Sequence, residues 1–152
     1  MSLIAEYISY LEEVMASVDG VNKLLMVTEE KQLAKYIRDH QKSDNVLMLG
    51  IMPNFGNNSP DNADSYQDVA FCEIMLLKKT DYSDLPYEKF LEDYDYIFGL
   101  IQQVKAKLLD DATNGTCALV RQLNPESFQT VDVYNRNNCN GWNLVFTFDT
   151  NV

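Results

Sequence analysis

"NRNNCNGWNLVFTFDT", residues 135–150, decides how the chain is read. It holds one of three cysteines, the sole tryptophan and an Asn-Gly pair. Asn140-Gly141 is a two-residue hairpin signal, because both residues tolerate positive φ. The residues that follow alternate, with Trp142, Leu144, Phe146 and Phe148 on one side and Asn143, Val145, Thr147 and Asp149 on the other. Such a period of two marks a strand with one face on a core and the other at least partly wet. Cys139 has no histidine near it and no cysteine at ligand spacing. It reads as a structural thiol beside a turn, not as a redox or metal site.

Upstream, "CALVRQL" (117–123), the turn "NPES" and "FQTVDVY" (128–134) extend this hairpin into an expected three-stranded meander. "QDVAFCEIMLLKKT" (67–80) and "NVLMLGIM" (45–52) are two more strands, apolar on both faces, with Pro53 ending the second. Between these strands and the meander, residues 81–111 carry the strongest helical pattern. Pro86 suits its first turn. Phe90, Leu91, Tyr94, Ile97, Phe98, Ile101, Val104 and Leu108 form its expected core stripe, and Glu88, Glu92, Asp95, Gln102 and Lys105 its wet side. Gly99 inside it costs about 1 kcal/mol against alanine, a cost that close packing of another backbone would offset.

The N-terminus repeats the helical spacing through Leu3, Ile4, Tyr7, Ile8, Leu11, Val14 and Met15, and stops near Asp19-Gly20. Residues 22–45 are expected to hold a second helix capped by Thr28, with Glu29 and Glu30 at its positive end and Lys35, Arg38 and Lys42 further on. The expected order is α-α-β-β-α-β-β-β. Elements so ordered do not make a doubly wound sheet. They make a single α+β domain over 1–152, a mostly antiparallel sheet packed by helices on one face.

Composition narrows the function. With 12 Lys+Arg against 23 Asp+Glu the net charge is −11. Such a surface repels phosphate backbones and anionic lipid, which argues against nucleic-acid binding and membrane docking. Three widely spaced cysteines without a CxxC pair suit a reducing, cytoplasmic setting. "MSLIAEYISYLEEVM" lacks the basic start and cleavage site of a signal peptide, and no apolar run is long enough to span a bilayer.

No catalytic motif stands out: the chain has no GxGxxG, no P-loop and no GxSxG. His40, the sole histidine, reads as a surface helix residue. In the run "EDYDY" (92–96), Glu92 and Asp95 read as a solvated helix face, although Tyr82, Tyr87, Tyr94 and Tyr96 gathered around it favour a protein partner. The polar stretch 53–66 is the candidate contact loop, through Asn54, Phe55, Asn57, Asn58, Asp61, Asp64 and Tyr66. Its carboxylates lack EF-hand spacing and a closing glutamate, so a solvated loop is expected before a calcium site. No cofactor, metal or enzymatic activity is expected.

Three stretches, "DVAFCEIMLLKKTDYSD", "GLIQQVKAKLLDD" and "NRNNCNGWNLVFTFD", together resemble the layout of small prophage proteins of the tail-completion or tail-terminator kind, over about residues 46–150. The resemblance implies a small α+β subunit that assembles with itself into a ring and joins other phage tail proteins, in the host cytoplasm or the virion. The alternative is a small acidic binding or adaptor module that captures a basic protein.

Overall fold

A computed structural model describes residues 2–28, 32, 34–35, 46–57, 68–79, 86–136 and 138–150. Helix α1 (Leu3–Ser17) is followed by strands β1 (Lys23–Val27), β2 (Leu47–Asn57) and β3 (Asp68–Lys79). Helix α2 (Tyr87–Asn114) comes next, then two short 3₁₀ turns (Val120–Gln122 and Pro125–Ser127) and strands β4 (Gln129–Arg136) and β5 (Cys139–Thr150). The five strands form one sheet in the order β1-β2-β3-β5-β4, parallel between β1 and β2 and antiparallel elsewhere. The α+β class, the mostly antiparallel sheet and the packing of both helices on it are as the sequence led us to expect.

The decisive stretch is a strand, but its turn lies earlier than Asn140-Gly141. Arg136 pairs with Cys139, and Asn138 takes the left-handed conformation at φ 61°. Asn140 and Gly141 lie inside β5, where Gly141 faces Leu77 of β3 and Val133 of β4. A Cβ on Gly141 would sit 1.8 Å from the carbonyl oxygen of Leu76. The glycine is there for close backbone approach, not for a turn.

Two stretches differ from expectation. Lys23–Val27 is a strand, where the sequence reading assigned no element ahead of the helix capped by Thr28. Leu24 and Met26 pack against the main core, and Leu25 and Val27 belong to a cluster on the opposite side of the sheet. A short run that is apolar on both faces has no period, so it does not distinguish a buried strand from a buried helix. The expected second helix otherwise falls on residues mostly outside the described ones. At its start, Thr28 N–H and Oγ1 both donate to Gln32 Oε1 at 2.8 Å, a side chain reaching back to a helix start.

Conversely, 117–123 is not a strand. Val120 is fully buried beneath α2 in a 3₁₀ turn, and Leu123 makes a single bridge to Phe148. Both flanks of β5 are already taken by β3 and β4, so the meander has two strands where three were expected. The observed order is therefore α-β-β-β-α-β-β across the described elements. Pro53 does not end β2 either. The strand runs on to Asn57 through a break in register between Ile51 and Asn54, a place where a proline costs no ladder bond.

Both helices lie on one face. Tyr7, Leu11 and Val14 of α1 and Ile97, Ile101, Val104 and Leu108 of α2 meet Met48, Cys72, Ile74, Leu76, Leu144, Phe146 and Phe148 of the sheet. Each such large side chain taken from water favours folding by about 1.5–3 kcal/mol. Leu47, Leu49, Met75 and Leu77 are buried on the other face, so β2 and β3 are covered on both sides as their apolar runs suggested. Ser2 caps α1 by accepting from Ala5 N–H, and Pro86 stands one residue before α2 begins.

Candidate protein interface

Helix α2 divides along its length. Its buried line runs through Asp93, Ile97, Leu100, Ile101, Val104 and Leu108. The expected core stripe was broader. Tyr87, Leu91 and Phe98, spaced four and seven residues apart, form a separate exposed row, with Tyr87 74% and Leu91 48% accessible. These apolar residues lie one row away from the buried line, so the same helical period that marks the core also marks this row.

Aromatic rings join the row to the sheet edge. Phe90 packs on Tyr94 (4.8 Å between centroids) and on Tyr134 of β4 (5.9 Å). Trp142 of β5 packs edge-on to Tyr94 (5.9 Å) and Phe98 (5.0 Å). Hydrogen bonds hold these rings in place. Tyr94 Oη donates to the Val133 carbonyl, beside the irregularity in the β4–β5 ladder, and Trp142 Nε1 donates to the Tyr94 carbonyl at 3.0 Å. Below them, Lys78 Nζ meets buried Asp93 Oδ1 at 2.8 Å, next to Asn140, the cross-strand partner of Lys78. This ion pair pins the first half of α2 over the strand ends. Asp93 is therefore an anchor, while Glu92 and Asp95 of the same acidic run are exposed as expected.

β4 stands at the edge of the sheet beside this row. Its Tyr134 (65%) is exposed on the helix side, whereas Val131, of the same parity as Val133, is exposed on the opposite face. Carboxylates surround the rings: Glu88, Glu92 and Asp95 are exposed on α2, and Asp132 on β4. Lys89 is the one cation between residues 87 and 100, and it lies 3.9 Å from Glu92. The surface thus combines exposed aromatic and aliphatic side chains, an edge strand and a local excess of negative charge.

No protein-family model matches the chain, and no curated protein or solved structure matches it. The function is therefore argued from this surface.

The other expected positions are dispersed. Asn54 and Phe55 are exposed at the far end of β2, where Phe55 pairs with Ala70, at the opposite end of β3 from Lys78. They do not join the aromatic row. Asn57 ends β2, while Asn58, Asp61, Asp64, Tyr66, Tyr82 and His40 lie outside the described residues. Of the tyrosines read as a partner signal, Tyr87 and Tyr94 belong to the surface described here, and Tyr96 is exposed on α2 with its Oη close to Gly20.

Titratable groups elsewhere have structural roles. Cys72 and Cys139 are fully buried, and burial pushes their thiols up to about 12 and about 11. Burial also raises the Cys117 thiol, whose Sγ lies 3.5 Å from Glu6 Oε1. None of these thiols is poised as a nucleophile, which requires a lowered pKa. Tyr10 Oη donates to Asp111 Oδ2 at 2.7 Å and Lys107 Nζ lies 3.0 Å from the same oxygen, so this cluster ties α1 to α2. Burial first, and then this acceptor, hold the Tyr10 phenol well above its ordinary range. Among the described residues no group of three or more His, Cys, Asp and Glu side chains is placed to hold a metal ion. Among them too, no helix is long and apolar enough to cross a membrane.

Proposed function

We propose that this chain is a non-enzymatic assembly subunit of the tail-completion or tail-terminator kind, forming protein–protein contacts with copies of itself and with other phage tail proteins. The observation that carries the reading is the exposed row Tyr87, Leu91 and Phe98 of α2 beside the edge strand β4. Contiguous exposed apolar side chains rimmed by polar ones mark contact sites, and aromatic residues are enriched in them. The resemblance of residues 46–150 to tail-completion proteins supplies the setting. The test is mass by light scattering behind a sizing column over a concentration and salt series, with capture of purified tail-tube protein alongside. Growth toward a closed oligomer, or capture that Leu91→Glu weakens, is the expected result. A monomer at every concentration that captures no tail protein overturns the reading.

A second reading, an acidic adaptor that captures a basic protein, is favoured by Glu88, Glu92, Asp95 and Asp132 around the same rings. Charge complementarity of that kind sets association rate and salt dependence. One-to-one capture that fades as salt rises, with no self-assembly, is its signature.

A further inference from the structure

β4 presents five residues of regular strand at the edge of the sheet, Gln129 to Val133. Edge strands in isolated proteins are ordinarily blunted by lysine, proline, short length or a bulge. β4 is eight residues long, contains neither lysine nor proline, and pairs in regular register with β5 from Gln129 to Val133 before its irregularity. Its outer side has no strand among the described residues. On the helix side of the sheet this edge meets the aromatic row of α2, as the contact of Phe90 with Tyr134 shows.

We propose that an extended segment of a partner protein, with arginine or lysine at alternate positions, adds to β4 as a sixth strand. Its cations lie across the aromatic row of α2. The inference rests on the protein-contact reading above and names the chemistry of the partner. In an added strand every second side chain points to the helix side. There it meets ring faces that attract cations, together with the carboxylates of Asp132, Glu88, Glu92 and Asp95. Lys89 on α2 and Arg136 at the end of β4 offset them only in part. Charge also decides against the same face of a second copy as the occupant of this strand position, so self-assembly would bring a different patch of the neighbouring copy to the aromatic row. Two chains of net charge −11 repel one another, and the same carboxylates would be brought face to face. Main-chain hydrogen bonds along β4 would supply affinity, and alternate side chains specificity.

The test is a titration of the full chain with a synthetic peptide alternating arginine and threonine, followed by Trp142 emission and by anisotropy of a labelled copy. Trp142 reports because it packs on Phe98 and Tyr94 beneath the row. Saturable binding is expected, weakened roughly tenfold between low and moderate salt. Asp132→Lys should weaken it by a similar factor, while Glu126→Lys, an exposed change outside β4 and α2, should leave it intact, both variants keeping the native circular dichroism. A fully N-methylated peptide keeps its charges but forfeits the ladder, and should not bind. Equal binding of a peptide with glutamate for arginine, equal binding of the N-methylated peptide, or equal loss in the two lysine variants each overturns the proposal. A chain that captures tail protein but ignores the arginine peptide overturns this inference and leaves the assembly reading standing. A chain that binds the peptide at β4 yet neither self-assembles nor captures tail protein does the reverse.

Discussion

Trp142 donates its indole N–H to the backbone carbonyl of Tyr94 at 3.0 Å, so β5 and α2 are joined by a directed bond within their apolar contact. Tyr94 in turn donates its hydroxyl to Val133 of β4. One side chain and one backbone group thus fix the helix over two neighbouring strands, and the exposed row on α2 inherits its position from them. Trp142→Phe keeps an aromatic ring and removes the donor. Stability should fall by about 1–2 kcal/mol, the sum of a lost hydrogen bond and a smaller ring, read from urea midpoints followed by circular dichroism.

Gly99 of α2 and Gly141 of β5 should respond in opposite directions. Nothing lies within 4 Å of a Cβ placed on Gly99, so the close packing expected to offset its helical cost is not there. Gly99→Ala should stabilise the chain by about 1 kcal/mol. Gly141→Ala drives a methyl into the Leu76 carbonyl oxygen and should cost about 3 kcal/mol or more, because backbone must move between β3 and β5. Paired denaturation curves check both, and equal effects would refute the contrast.

Lys78 and Asp93 form a half-covered ion pair. Lys78→Met leaves Asp93 buried with neither carboxylate oxygen partnered by lysine, and should cost about 1–3 kcal/mol, less than a fully buried pair because Lys78 is partly exposed. Adding Asp93→Leu in the same chain should recover much of that loss. A double variant as unstable as Lys78→Met would place the cost elsewhere.

Alkaline pH should loosen the fold through its buried thiols. In the unfolded chain Cys72 and Cys139 lose their protons near the ordinary value of 9.0, whereas burial holds them protonated to about 12 and about 11. Above pH 9 the unfolded chain therefore binds fewer protons, and stability falls as pH rises through that window. Below it the two thiols contribute no slope. Urea midpoints between pH 8 and 11 should show the decline, and Cys139→Ala should flatten part of it. The same burial predicts that a thiol reagent labels Cys117 first in the native chain and reaches Cys72 and Cys139 on unfolding.

Much of this architecture is legible in the residues. The alternation of Trp142, Leu144, Phe146 and Phe148 gives β5 and its buried face, and the spacing of Ile97, Ile101, Val104 and Leu108 gives α2. The misreadings share a cause: local signals whose outcome depends on a distant neighbour. Asn140-Gly141 has turn chemistry, but the need for glycine comes from Leu76. "LLMV" at 24–27 is apolar on both sides because it pairs with β2 and meets an apolar cluster on each face of the sheet, a context no short window contains. Val120 is apolar because α2 covers it, not because it pairs. The surface on α2 was half visible. The tyrosines pointed to it, but Leu91 and Phe98 were assigned to the core, since a helical wheel does not say which of two adjacent apolar rows is buried.

The strand order carries a consequence for how the chain is made. β5, which follows the other four strands of the sheet in the chain, lies between β3 and β4 and is hydrogen-bonded to both. Until residues 139–150 have left the ribosome, β3 has one bare flank and β4 has no companion at all. The five strands therefore join into one sheet only when β5 is available, after the other four. Chains halted before Cys139 would display the apolar edge of β3 to their neighbours, a template for aggregation. Premature termination in this gene should accordingly yield insoluble fragments, not a smaller folded version of the protein.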